Sequence, residues 1–402
     1  MLVKREMVLG NSEYERGLNI KLNMMSQKYV RCVWLMNIRI ILSCFIISSI
    51  FLCSCFTRKH YSFPINEIEF ANRADVQIEG SRIVIDEMGL DEVIASDSFL
   101  ILLSANPAGY VSVLDINIYN TVAYLCRKGR ARNEFMNSVT ATKQIYYRNN
   151  ELILPIVDNM QIVKEVNITE SVKRGNTVVE KTDECISIID GYDIFLENDI
   201  EKRFEFRFCA NDPVLENAYT LPEYYQISSP EKKEKIKVFP KMMDFQDPQR
   251  AAAFYSGCLF KHPGRNLIVQ PFQYMDYILF FDLDNGNNFA IHQSGSLSFD
   301  DLIPAKQGKT IFHFCDCAVS DDFFIVLYKA GLYSRSFEDY SRANPEIIVF
   351  DWDGNYINSA KLGNEVHSIT YDSNRKILYG IDRRYDSLYS FDLSNIVSDR
   401  NE

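Results

Sequence analysis

The sequence predicts an all-β protein, a six-bladed β-propeller preceded by a lipoprotein signal peptide. Three observations predict it: aromatic-rich strands, a unit recurring about every 55 residues, and a short apolar run that ends at two cysteines. Aromatic residues make up 13% of the 402 residues, with 23 Tyr and 27 Phe against 17 Gly and 12 Pro. Flat rings suit the pleated, half-buried surface of a strand. A hydrophobic share of 47% with 24% charged residues excludes disorder, collagen and coiled coil as descriptions of the whole chain. The net charge of −11 disfavours a nucleic-acid partner, which wants a basic stripe.

The N-terminal signal comes first along the chain. Met36-Asn37-Ile38-Arg39 is a short positive leader, residues 40–52 are apolar apart from small residues such as Ser43, Ser48 and Ser49, and Leu52-Cys53-Ser54-Cys55 follows. A positive leader, a short apolar run and a small residue before the cut describe a secretory signal. The run is shorter than the roughly 20 residues a membrane-spanning helix needs. A buried apolar helix or a plain anchor is the alternative. Residues 1–35 are mixed and charged, and read as an extension upstream of a start at Met36. The expected organisation is therefore 1–35 extension, 36–54 signal peptide, 55–60 linker and 61–396 propeller. Loss of residues 1–54 removes seven basic and three acidic residues and leaves 36 basic and 51 acidic, a net of −15. Such an acidic body is held at a membrane by lipid, not by attraction to anionic headgroups. Of the ten cysteines, six lie beyond Cys55: Cys126, Cys185, Cys209, Cys258, Cys315 and Cys317. Their irregular spacing suggests buried thiols, although an exported compartment permits disulfides.

The repeat justifies the blades. Dense apolar strands begin at residues 98 (SFLILLS), 150 (NELILPI), 266 (NLIVQPF), 322 (DFFIVLY) and 377 (ILYGID). Each is followed by a second strand, at 110–115, 160–166, 277–282, 347–351 and 387–392, and four of these five end in Asp. Asp opens turns because its side chain bonds the backbone two residues on. The intervals are 52, 116, 56 and 55, so the long one hides a unit near 204–208, where residues 203–208 read RFEFRF. Six units then fill residues 95–396, without helical periodicity between them. The segment 61–89, with SRIVID at 81–86, is placed to complete the last blade and so remove an open edge.

Leu52-Cys53-Ser54-Cys55 resembles the bacterial lipobox, in which the last cysteine is acylated; by that resemblance Cys55 carries the lipid. Together with the six units, Gly129-Arg130-Ala131-Arg132-Asn133-Glu134-Phe135 and the turn Val349-Phe350-Asp351-Trp352-Asp353-Gly354, it resembles the TolB-like six-bladed propeller lipoproteins of Bacteroides-type bacteria. The family loop reads Gly-x-Gly-Pro-x-Glu-Phe; this chain keeps Gly129, Glu134 and Phe135 but has Ala131 and Arg132 where Gly and Pro are usual. The resemblance implies a propeller and no activity. The stretch after Cys55 lacks an acidic tract resembling a surface-export signal, which suggests an outer-membrane anchor facing the periplasm.

Few residues point to chemistry. His313, Cys315 and Cys317 alternate, so a regular strand places them on one face, a weak candidate set for zinc or copper that lacks a fourth ligand. The Asp-rich turns at 282–287 and 351–355 fail as EF-hand loops, because Gln293 and Leu362 stand where the twelfth-position Glu belongs. No nucleophile elbow, HExxH or phosphate-binding glycine loop is present, and no cofactor is implied. The stretch 331–345 reads as an insertion carrying Tyr333, Arg335, Phe337 and Tyr340, types enriched at binding hot spots. Residues 213–240 read as a second loop or insertion. The expected function is a binding or scaffold module in the cell envelope whose partner is an envelope protein or glycan. The alternative is a carbohydrate-active or other hydrolytic propeller with two channel carboxylates about 5–9.5 Å apart.

Overall fold

The computed structural model describes residues 65–71, 74–140, 143–159, 162–184, 193–196, 203–209, 224–228, 233–236, 257–294, 310–333 and 345–397. Three N-terminal strands come first: β1 (Asn66–Phe70), β2 (Gln77–Ile78) and β3 (Ser81–Ile83). The first sheet is β4 (Leu90–Ala95), β5 (Phe99–Ser104), β6 (Val111–Asp115) and β7 (Thr121–Leu125). The second holds β8 (Ser138–Thr140), β9 (Tyr146–Arg148), β10 (Glu151–Asp158), β11 (Ile162–Asn167) and β12 (Val179–Glu184), with helix α1 (Ile168–Arg174) between the last two. The third is β13 (Asp193–Leu196), β14 (Arg203–Cys209), β15 (Tyr224–Ser228) and β16 (Lys233–Ile236). The fourth is β17 (Phe260–Lys261), β18 (Leu267–Pro271), β19 (Tyr277–Asp282) and β20 (Phe289–Gln293). The fifth is β21 (Thr310–Val319), β22 (Phe323–Tyr333), β23 (Glu346–Asp351) and β24 (Tyr356–Leu362); the sixth is β25 (Ser368–Asp372), β26 (Ile377–Asp382) and β27 (Ser387–Asp392).

Each sheet is built on an antiparallel meander, and the first, second, fourth, fifth and sixth stack face to face as propeller blades. Period-2 alternation explains how. In β22 and β23, Phe324, Val326, Ile348 and Phe350 pack toward the fourth sheet, while Ile325, Leu327, Ile347 and Val349 pack toward the sixth. In β5, Ile101 joins the second sheet, and Leu100 and Leu102 join the sixth. A strand buried on both faces reads as a continuous apolar run, which is why these strands stand out in the sequence.

Four such cores join five blades in the order fourth, fifth, sixth, first, second. The repeat predicts six blades; the packing of the described side chains is that of five. The remaining unit forms a sheet by strand pairing, with Phe206 opposite Ile227, but its side chains lie outside the described residues. Its strands β15 and β16 fall inside 213–240, which the sequence suggested was a loop.

The N-terminal segment closes edges, as its position predicts. Strand β3 pairs with β27 as the fourth strand of the sixth blade. In addition, β1 runs parallel to β20 and β2 parallel to β24, so one segment edges three successive blades. The turn aspartates also do what their type suggests. Asp115, Asp282, Asp351 and Asp392 each accept the backbone N–H two residues on, at 2.8, 3.1, 3.0 and 2.9 Å. Gly354 follows Asp351 with φ of 83°, and a Cβ there would stand 2.5 Å from Phe289.

Helix α1 is not anticipated by the sequence reading. Two turns are too short for a 3.6-residue period to register. Its caps are legible, however: Asn167 Oδ1 accepts from Glu170 N at 2.8 Å, and Gly175 ends it at φ 67°.

Candidate functional site

Strand β25 lies against β4 and β21, and β17 against β21, so these leading strands line the ring axis. A cavity of about 450 Å³ opens where they end. It takes Asp97 after β4, His262 after β17, Ser320 after β21 and Thr370 in β25, with Lys143, Tyr146 and Tyr147 from the second blade. Five blades therefore contribute to one concave surface, within the size range of small-molecule sites.

Most charged groups at this cavity are tied up. Lys143 sits at a left-handed φ of 57° in the second blade. Its ammonium pairs with Asp316 of the fifth blade and donates to Ser368 Oγ at 2.9 Å and Ile369 O at 3.0 Å in the sixth. Asp316 Oδ2 also accepts Ile369 N at 2.7 Å. Asp97 accepts Tyr147 Oη–H at 3.2 Å and Asn374 Nδ2–H at 2.8 Å. His262 Nδ1 accepts Gly264 N and Arg265 N at 2.9 and 3.1 Å, and its Nε2 stands 2.9 Å from Arg265 Nε; burial, then Arg265, push its pKa down, which keeps the ring neutral. Tyr147 is 51% exposed and presents its ring to solvent.

The other end of the ring, where the leading strands begin, has a different chemistry. Buried Lys329 pairs with Glu365, which also pairs with Arg384; His367 stands 3.5 Å from Glu365 and 3.7 Å from Asp382. Burial draws Lys329 down to about 8 and His367 to about 4, and raises Asp382. Between the fourth and fifth blades, His313 Nδ1 lies 4.0 Å from Asp276 Oδ1. Burial pushes Asp276 up to about 7 and His313 down to about 4. Among the described residues, that oxygen and both His313 nitrogens have no hydrogen-bond partner.

The structure does not bring His313, Cys315 and Cys317 together. Two register shifts in β21, between Phe312 and Phe314 and between Phe314 and Asp316, break the alternation that one shared face requires. Cys317 packs into the core with the fourth blade and Cys315 against the core with the sixth. No cluster of three or more His, Cys, Asp or Glu able to hold a metal occurs among the described residues. Burial raises Cys315 to about 12, so this thiol stays protonated.

Of the expected binding residues, Tyr333 ends β22, its backbone opposite Thr310, so the supposed insertion begins as strand. Arg335, Phe337 and Tyr340 lie outside the described residues, as does Cys55. The sequence reading missed Lys143, Tyr147, Asp97 and His262. Only assembly of the ring brings them together, and no local spacing signals it.

No family model matches the chain, and no curated protein does. Several solved structures are similar to it. A member of the DUF4221 family from Bacteroides vulgatus has a TM-score of 0.48 and 10% identity, over 83% of this chain and 98% of its own. A Bacteroides fragilis protein described as a "putative exported protein" has a TM-score of 0.44 and 11% identity, over 81% and 99%. The β-propeller domain of Cps50 (Swd1) from Myceliophthora thermophila has a TM-score of 0.40 and 11% identity, over 78% and 99%.

Proposed function

We propose that this chain is an exported lipoprotein, acylated at Cys55, whose propeller is a binding module of the cell envelope, anchored in the outer membrane and facing the periplasm. The lipobox-like Leu52-Cys53-Ser54-Cys55 supports the anchor, and the TolB-like resemblance rests on the sequence. The sheet β13–β16 is the ring's further blade in this reading, because it follows the second unit and precedes the fourth. The observation that carries the binding role is the cavity at the ring mouth, built from five blades, with its lysine paired to Asp316 and Asp97 bonded to Tyr147. Affinity comes from shape and neutral polar groups there.

Two measurements test this reading. Intact mass of the membrane-extracted protein should show a chain beginning at acylated Cys55; an unacylated chain beginning at Met1 or Met36 overturns the export and anchoring. Soluble envelope fractions should raise the thermal midpoint of the purified propeller. A large residue at the cavity wall, Thr370→Trp, should abolish that rise without lowering the midpoint of the free protein by more than a few degrees. The same rise in both proteins places binding elsewhere.

A further inference from the structure

We infer that the cavity at the ring mouth takes a neutral carbohydrate, a short oligosaccharide bound by ring stacking and uncharged hydrogen bonds. This rests on the binding role proposed above. Charge decides the class first. Lys143 is saturated by Asp316, Ser368 and Ile369, and Asp97 accepts from Tyr147 and Asn374. His262 Nδ1 is occupied as an acceptor for Gly264 N and Arg265 N. The two other charges at the rim, Lys261 and Asp321, are opposite in sign, and Asp97 adds one negative charge, so the lining has no net positive field for an anion. An anion entering here would lose its hydration without gaining a dedicated counter-charge, which is costly.

Shape and surface decide it next. Tyr146, Tyr147 and Tyr371 line the cavity, and Tyr147 is half exposed with its hydroxyl pinned by Asp97, so its ring is held in place. A pinned Tyr offers an apolar face bordered by polar groups, at little entropy cost. A sugar ring has the matching surface: C–H groups on one face and hydroxyls around the rim. Ser373, and Thr370 whose Oγ1 accepts Ala95 N at 3.0 Å, supply neutral hydroxyls beside that face, while the Ser96 hydroxyl is turned to Phe99. A volume of about 450 Å³ sits low in the range of ligand sites, suited to a short oligomer and not to a folded domain.

The test is titration calorimetry of the purified propeller with defined neutral trisaccharides of glucose, mannose, xylose and N-acetylglucosamine, beside an acidic trisaccharide and an uncharged capped tripeptide. At least one neutral trisaccharide should bind, with the acidic one at least tenfold weaker. Tyr147→Ala should weaken binding at least tenfold, and Tyr147→Phe, which keeps the ring but loses the bond to Asp97, by less than the alanine. Both variants should unfold at the wild-type temperature, because the side chain is half exposed. Binding of the capped tripeptide or acidic sugar alone overturns the carbohydrate assignment and leaves the binding role standing. Neutral-sugar binding that is indifferent to Tyr147→Ala overturns the assignment to this cavity. If none of the probes binds and envelope fractions also fail to stabilise the protein, both readings fall.

Discussion

Lys143 bolts the second blade to the fifth and sixth across the ring axis, and Lys143→Met tests how much that bolt contributes. The lysine and Asp316 side chains are 12% and 8% exposed, so their pairing is largely desolvated. Met keeps the aliphatic stem but removes the charge. It leaves a buried carboxylate held only by Ile369 N, and two acceptors, Ser368 Oγ and Ile369 O, without the ammonium. Removing one partner of a buried ion pair costs about 3–5 kcal/mol, more than forming the pair contributes, because the survivor stays buried and charged. Guanidinium unfolding of the chain from residue 55 onward reports it. Trp352 is the only tryptophan in that chain, and its buried indole donates to Ser320 O at 3.0 Å. Asp316→Asn added to Lys143→Met should recover part of the loss, giving a coupling above about 1 kcal/mol. A loss below about 1 kcal/mol for Lys143→Met, or strict additivity with Asp316→Asn, refutes the bolt.

Asp276→Asn should become more stable relative to wild type as pH rises from 5 to 8, by about 2–3 kcal/mol. The sign follows from a folded pKa of about 7 against an ordinary one near 4: the stability tied to the neutral acid is present below pH 4 and fades as pH approaches 7. A pH-independent difference in denaturation midpoint excludes it. A chain starting at residue 84 lacks β1, β2 and β3 and should melt well below one starting at residue 65, or aggregate; equal midpoints would remove the edge-closing role. With a thiol reagent on the native protein, exposed Cys258 should react first, and buried Cys126 and Cys317 only in denaturant. Equal rates would contradict this packing.

The blades were legible because each central strand is buried on both faces. A run such as FLILLS has no polar side to hide its identity, and the terminal Asp marks where the chain must turn. Stretches with mixed composition were harder. β15 reads YYQIS and β16 KEKI, so neither is a continuous apolar run, and the stretch suggested a loop or insertion. The strand 313–317 was read with ideal alternation, but tertiary pairing introduced two register shifts that no pair of neighbours announces. The cavity was illegible for a different reason. Lys143 and Asp316 are 173 residues apart, and Asp97 meets Asn374 across the junction of the first and last blades. Only ring closure creates those contacts.

The same closure bears on the hydrolytic alternative. A glycosidase needs a carboxyl group with a raised pKa beside open space, and a second carboxylate within about 5–9.5 Å of it. Among the described residues, the carboxyls that burial raises are Asp276 and Asp382. Asp276 precedes β19 and Asp382 ends β26, so both lie where the leading strands begin, and the cavity opens where those strands end. Neither lines that cavity, and they belong to different blades. At the cavity itself, Asp97 accepts hydrogen bonds from Tyr147 and Asn374. Among the described residues, the raised acids and the open cavity lie at opposite ends of the ring. Neutral trisaccharides recovered intact after prolonged incubation with the propeller are the expected result, and release of smaller sugars, lost in a variant of a cavity carboxylate such as Asp97→Asn, would reverse the assignment.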